Sequence, residues 1–179
     1  MQKKEMVIGV CGSVGAATII NYIYLLSQYY NIDIIFTKNA LNFVEPKGIK
    51  SFINNYYIDE FEDTRALHIE LAAKADYFLI LPASANVIAK MAHGIADDLL
   101  TSTLVAYEKN VYIAANMNPR MWNNSILQDN VQYLKKKGHI FVNEGGYAIE
   151  AATKERVYSG ACLPDGEKLL EYFQSEKTI

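Results

Sequence analysis

The sequence predicts an α/β protein: a doubly wound parallel sheet of Rossmann-like (flavodoxin-like) topology, finished by a C-terminal flap. Three observations predict it. Short, nearly unbroken apolar runs recur along the chain, and segments of helical period separate them. The residues that follow successive runs are small, hydroxyl or amide types. Unbroken apolar runs suit strands covered on both faces, as parallel strands are. Strands alternating with helices build a doubly wound sheet. A chain of 179 residues that is 51% hydrophobic can bury one sizeable core, so residues 1–179 are expected to form a single domain.

The strands are read in order as MVIGVC (6–11), IDIIFT (32–37), DYFLILP (76–82), VYIAAN (111–116) and HIFVN (139–143). Each is short and rich in Val, Ile, Leu or aromatics. Helical spacing over 15–30 places Ala16, Ile19, Ile20, Ile23 and Leu26 on one face. Further helices are expected over 86–93, 97–107 and 124–137, and a closing one over 165–174 with Asp165 as its cap. Residues 143–164, NEGGYAIEAATKERVYSGACLP, have two glycine turns and weak strand signals. They read as a hairpin-like flap over the substrate rather than a second domain.

Composition excludes several classes. The formal net charge is -3, and the lysines are scattered apart from Lys135, Lys136 and Lys137, so nucleic acid is not an expected partner. Cys11 and Cys162 make neither a disulfide framework nor a metal motif, which fits a reducing, cytoplasmic setting with no metal site. The opening MQKKEMVIGVCGSVGAATII resembles a secretory signal, but Gly9, Gly12 and Gly15 split its apolar run into a strand, a turn and a helix. No segment is long and uncharged enough to span a membrane.

In an open parallel sheet, ligands bind beyond the carboxyl ends of the strands. Four strand ends carry candidates. Gly12-Ser13-Val14-Gly15 follows the first run, and backbone N–H groups there, with the Ser13 hydroxyl, suit a phosphate. Neither GxGxxG spacing nor a GK[ST] loop is present, and an ordinary capped turn would look the same. Thr37-Lys38-Asn39 follows the second. Pro82-Ala83-Ser84-Ala85-Asn86 follows the third. Its small side chains admit a flat ring, and Asn86 offers a donor and an acceptor, although Ser84 would equally serve as a plain helix cap. After the fourth comes NMNPRMW (116–122), with two amides, two methionines and the chain's single tryptophan. His68, in or just before a short helix, is the natural acid–base group near neutral pH, with Glu62, Asp63 and Glu70 nearby to tune it. His93 and His139 read as structural.

Three segments, HIELAAKAD, PASANVIAKMAHGIADDLLTSTLVA and NMNPRMW, resemble in order and spacing the homo-oligomeric flavin-containing cysteine decarboxylases. The resemblance covers roughly residues 6 to 142. The family includes the decarboxylase of coenzyme A biosynthesis and the peptidyl-cysteine decarboxylases of lanthipeptide biosynthesis. Two positions depart from its motifs. Val87 stands for a threonine, and Ala115 for a proline, a change expected to loosen the turn before Asn118.

The resemblance implies FMN, and no motif separates FMN from FAD. Its phosphate would lie near Gly12, Ser13, Val14 and Thr37. The ring would lie against Ala83, Ser84, Ala85, Asn86 and Asn116, with Phe43 also at the cofactor. It implies trimers with the flavin at a subunit boundary, and dodecamers built from them. It casts His68 as catalytic base or proton relay. Asn118 becomes the residue that orients the substrate carboxylate, with Met117, Met121 and Trp122 as a dry wall beside it. The implied reaction removes a hydride from the β-carbon of a C-terminal cysteine, with loss of the thiol proton. Carbon dioxide then leaves the resulting thioaldehyde to give an enethiolate, and molecular oxygen reoxidises the flavin.

Two substrates compete. The coenzyme A branch acts on phosphopantothenoylcysteine and uses a flap cysteine followed by a glycine-rich basic stretch. Here Cys162 is followed by Leu163, Pro164 and Asp165, which points to a structural cysteine. The long polar flap, with Glu144, Glu150, Lys154, Glu155 and Arg156, suits a clamp over an extended peptide. The expected activity is therefore oxidative decarboxylation of the C-terminal cysteine of a precursor peptide, with the coenzyme A reaction as the alternative. A flavin prenyltransferase or a non-catalytic flavin-binding module ranks lower.

Overall fold

The computed structural model describes residues 3–58, 66–150 and 153–175. Glu62 and Asp63, expected beside His68, lie outside the described residues. Six parallel strands form the main sheet: β1 (Lys4–Val10), β2 (Tyr30–Phe36), β3 (Asn55–Ile58), β4 (Tyr77–Ala83), β5 (Val111–Ala115) and β6 (Ile140–Phe141). Their order is β3-β2-β1-β4-β5-β6, so the winding direction reverses between β1 and β4. The fold is the doubly wound α/β class that the apolar runs predict. The strand absent from that prediction is β3, whose NYYI sequence lacks an apolar run. It is a half-exposed edge strand, held to β2 partly by the Asn55 amide donating to Asp33 Oδ1 at 3.1 Å.

Alternation along the strands divides the core between two faces. Met6, Ile8 and Val10 of β1 join Leu79 and Leu81 of β4 on one face, under the helices α1 (Ile19–Ser27) and α7 (Gly166–Ser175). Val7 joins Phe78 and Ile80 on the other, with α2 (Leu67–Lys74), α3 (Ala85–His93) and α4 (Leu99–Ala106). Each of these fully buried side chains contributes roughly 1.5–3 kcal/mol. Tyr30, Tyr77, Tyr112 and Phe173 form an edge-packed aromatic cluster under α7, with the Tyr77 and Phe173 centroids 5.3 Å apart.

The predicted helices stand with shifted ends. Residues 15–30 do not start as an α-helix. A 3₁₀ turn, Val14–Thr18, comes first and α1 follows. Ser84 Oγ caps α3 by accepting from Val87 N, and Asp165 Oδ1 caps α7 by accepting from Glu167 N at 2.9 Å. The PRMW segment forms a single turn of helix, α5 (Pro119–Trp122), ahead of α6 (Ser125–Lys136).

The flap is an antiparallel hairpin of β7 (Glu144–Ile149) and β8 (Arg156–Cys162). Its glycines sit within the strands rather than at its turn. They leave room for large neighbours: Gly145 faces the Tyr158 hydroxyl, and a Cβ on Gly160 would lie 2.5 Å from Trp122 Nε1.

Candidate active site at the carboxyl edge of the sheet

All six strands run the same way, so their carboxyl ends share one edge, and the reversal between β1 and β4 opens a crevice there. The peptides around it are stitched directly. Cys11 N–H donates to Pro82 O at 3.1 Å, and Asn116 N–H donates to Ala83 O at 2.9 Å. The sequence-predicted loops after β1, β4 and β5 are thereby brought together.

Gly12 closes the next side. A Cβ there would fall 2.5 Å from Asn39 Cβ and 2.7 Å from the Asn39 carbonyl oxygen. The turn after β1 can therefore press against the 3₁₀ turn after β2, Lys38–Asn42, whose cap is Thr37. The Thr37 hydroxyl donates to Val10 O at 3.3 Å. Val14 and Phe43 are exposed apolar side chains on these same two loops.

Asn116 faces inward. Its Oδ1 accepts from the Ser13 hydroxyl and from Gly15 N–H, both at 3.0 Å, and its Nδ2 donates to Ala161 O of the flap at 3.4 Å. One amide thus joins three segments. It also satisfies Gly15 N–H, one of the first N–H groups of the turn Val14–Thr18, which have no partner within it. Ala83 is fully buried, Ala85 is half-buried, and Asn86 stands exposed in the first turn of α3. The valine at 87 is buried at 2% exposure among the apolar residues of that face, while its N–H is already capped by Ser84.

Asn118 behaves differently. Its Oδ1 caps α5 by accepting from Arg120 N–H at 2.8 Å, which leaves only N–H groups to project. Nδ2 donates to Glu150 Oε1 of the flap at 2.9 Å. The Glu150 side chain is 6% exposed, Arg120 Nε lies 3.5 Å from the same oxygen, and Thr153 Oγ1 donates to the other at 2.8 Å. The Asn118 amide, then the Thr153 hydroxyl and the Arg120 charge, hold the Glu150 carboxyl below the usual carboxylate range. Trp122, half-buried, packs beneath Gly160. Met121 is exposed and, with Ala85, Ala89, Ile126 and Leu127, lines an apolar groove of about 470 Å³.

His68 lies half-buried in the first turn of α2. That helix leads from the carboxyl end of β3 back to the start of β4, so its first turn belongs to the same edge as the other candidates. Cys162 is half-buried at the end of β8, and burial pushes its thiol up.

Sequence reasoning missed two residues. Asn143 Oδ1 accepts from Ala115 N–H, while its Nδ2 donates to Ala115 O and to Cys162 O, all at 2.7 Å. The signal was an asparagine ending an apolar strand. Ala115 therefore does not loosen the turn: it is fully buried and tied through both backbone groups. A proline at 115 could not make the first of these bonds. Arg120, the other, had no signal in its own motif.

The flavoprotein family model matches residues 1–165. The chain belongs to the flavoprotein family. Among this flavoprotein's relatives is mersacidin decarboxylase of Bacillus sp. (strain HIL-Y85/54728), 32% identical over 169 residues, covering 92% of this chain and 87% of that one. Epidermin decarboxylase of Staphylococcus epidermidis is 38% identical over 73% of this chain and 72% of its own. A probable phosphopantothenoylcysteine decarboxylase of Streptococcus mutans is 34% identical over 76% and 80%. Among solved structures, a variant of EpiD complexed with substrate peptide DSYTC superposes with a TM-score of 0.85 at 32% identity, covering 97% of this chain and 99% of that one. The FMN-dependent cysteine decarboxylase SpaF gives 0.80 at 30%, covering 98% of each. The relatives are thus decarboxylases of both substrate branches. Among the described residues, no helix is long and apolar enough to cross a membrane.

Proposed function

We propose that this flavoprotein is an FMN-dependent peptidyl-cysteine decarboxylase that converts the C-terminal cysteine of a ribosomal precursor peptide to an aminoenethiol, as lanthipeptide aminovinyl-cysteine formation requires. The observation that carries it is Asn118. Its carbonyl is spent on its own helix, and its amide N–H already binds a buried carboxylate. A group of that kind beside the crevice suits a substrate that presents a free carboxylate.

The residues present fit FMN. Gly12 permits the close approach of the loops carrying Ser13 and Thr37, and Ala83 and Ala85 put only small side chains at the end of β4. Ser13, Val14 and Thr37 would hold the phosphate side, and Phe43, Ser84, Asn86 and Asn116 would border the ring. When bound, the flavin supplies a two-electron acceptor for the hydride of the cysteine β-carbon. Asn118 holds the carboxylate in line for departure as carbon dioxide. His68 accepts or relays the thiol proton. Met117, Met121 and Trp122 keep the surroundings dry. Assembly as a homo-oligomer with the flavin near a subunit boundary, and action in the cytoplasm, belong to the same proposal.

A peptide substrate is favoured by the hairpin over the site and by the relatives that modify mersacidin and epidermin. The rise of the Cys162 thiol by burial, and the Leu163-Pro164 that follows it, favour an enzyme that stops at the enethiol. The test is mass spectrometry of flavin-loaded protein mixed with peptides ending in cysteine, and separately with phosphopantothenoylcysteine. Loss of carbon dioxide plus two hydrogens from peptide supports the proposal. Turnover of phosphopantothenoylcysteine alone replaces it with the coenzyme A reaction. His68→Asn should retain the yellow cofactor and stop turnover, and persistent turnover would remove His68 from its role.

A further inference from the structure

We propose that Asn118 and Arg120 together form a two-donor seat for the substrate's terminal carboxylate, and that Glu150 of the flap occupies that seat until substrate displaces it. The inference rests on the peptidyl-cysteine reading above and extends it to two residues which that reading does not use.

Glu150 is buried in an unusual place, 6% exposed near the end of a surface hairpin. Carboxylates are seldom buried unless they are paired, and this one is held by donors from outside its own hairpin. Its oxygens meet Asn118, Arg120 and Thr153, and two of those three lie on α5, 30 or more residues away in sequence. The fold of α5 does not need the contact, because Asn118 caps the helix with its carbonyl oxygen. What remains on Asn118 is a pair of N–H groups, and the Arg120 guanidinium is a donor under all ordinary conditions. Donors alone, one of them charged, select an anion with acceptor oxygens, which is what a peptide's C-terminal carboxylate is.

The geometry also lets Glu150 leave. Its backbone is fixed by a local turn, in which Glu150 N–H donates to Glu155 O and Lys154 N–H donates to Glu150 O, both at 2.9 Å. The side chain can therefore rotate out while these two backbone bonds stay in place. Arg120 is 82% exposed, so its charge can follow an incoming carboxylate without disturbing the core. An incoming free acid exchanges one carboxylate for another, whereas a peptide amide offers no charge to replace the one it must expel. The Arg120 charge thus makes the seat selective for free C-termini, while Glu150 lowers the apparent affinity for every ligand of the seat by one common factor.

The experiment uses flavin-loaded protein and two fluorescent peptides of one sequence, ending in cysteine free acid or cysteine amide. Removing the internal competitor in Glu150→Ala should tighten free-acid binding about ten-fold, in proportion to the fraction of seat set free. The gain should appear in KM rather than kcat, and the amide should gain by the same factor, so the free-acid-over-amide preference should be kept. Arg120→Ala should weaken the free acid several-fold and leave the amide unaffected. Glu150→Gln keeps an acceptor for Asn118 and serves if the alanine variant does not fold, with a smaller gain in the same direction. If the wild type turns over peptide but neither Glu150 variant binds free acid more tightly, or Arg120→Ala is indifferent to the terminus, the inference is overturned alone. If the wild type neither binds nor converts cysteine-ended peptides, the peptidyl-cysteine reading fails and takes the inference with it.

Discussion

Asn143→Ala should be among the most damaging single changes outside the apolar core. The side chain makes three hydrogen bonds at 2.7 Å, two to the backbone of Ala115 and one to Cys162 O. At about 1 kcal/mol each, with a further penalty for stranding buried Ala115 groups away from water, the loss comes to about 3–5 kcal/mol. Ala115 is fully buried, so water cannot readily replace the lost partner. Urea unfolding followed by the fluorescence of Trp122, at fixed flavin content, measures it directly. Ala115→Pro is the companion test. It restores the proline of the family motif yet removes the N–H that Asn143 Oδ1 accepts, so it should cost about 1–3 kcal/mol, less a few tenths for stiffening the unfolded chain. Because the two changes share a bond, the double variant should lose less than the sum of the singles. A loss below about 1 kcal/mol for Asn143→Ala would mean that these bonds contribute no net stability, and the explanation of Ala115 would fall with them.

Three other outcomes follow from the same geometry. Gly160→Ala must push Trp122 or the hairpin aside, at a cost of about 1–3 kcal/mol, with a shifted Trp emission spectrum and weaker peptide binding; an unchanged spectrum would show that the flap does not rest on the indole. Burial holds the His139 ring below its ordinary value of 6.5 while Nδ1 accepts from Val111 N–H at 3.2 Å, so the folded state binds fewer protons than the unfolded one. Stability should therefore be fully present above that ordinary value, fall as pH drops below it, and level off beneath the folded value; urea midpoints of wild type and His139→Gln should run parallel at high pH and differ in slope below it. Cys162→Ala should keep oxidative decarboxylation of peptide within about two-fold, since a thiol raised by burial is a poor proton source and only the residue's carbonyl is tied to Asn143; loss of turnover with retained flavin would give the thiol a chemical part.

What the sequence disclosed depended on which signals were local. Strands β1, β2, β4 and β5 were legible because both faces are covered along most of their length, so their buried stretches are almost all apolar, with Asp33 of β2 the exception. Strand β3 was not, because an edge strand needs only one good neighbour, and NYYI obtains it partly through the Asn55 amide on Asp33. The caps Ser84 and Asp165 could be read because a cap acts within three residues of itself. The partner of Gly15 N–H after β1 could not, because it is Asn116, 101 residues further on. The same holds at the site. The candidates sit on strand ends that topology gathers at one edge. The pairings of Asn118 with Glu150 and of Ala115 with Asn143 cross from the sheet to the flap, and they leave no periodic trace.

The two amides of NMN divide labour because of where their carbonyls go. A strand would send residues 116 and 118 to the same side, since side chains repeat every second position. Strand β5 ends at Ala115, and the backbone then turns into α5, so the two diverge. The Asn116 carbonyl is taken by Ser13 and Gly15, and its amide by the flap backbone, so it is committed to joining the loops of the crevice. The Asn118 carbonyl is taken by its own helix, and its amide is left to meet whatever the flap or a ligand brings. Substitution by aspartate separates the two roles. At 116 the carboxylate keeps the acceptor for Ser13 and Gly15 but turns a second oxygen toward Ala161 O, so stability and flap closure should suffer. At 118 the helix cap survives while a negative charge faces Glu150, so binding of carboxylate-ended peptide should be lost with little change in the unfolding midpoint. If Asn118→Asp instead unfolded the protein and Asn116→Asp abolished only peptide binding, the assignment of the two amides would have to be exchanged.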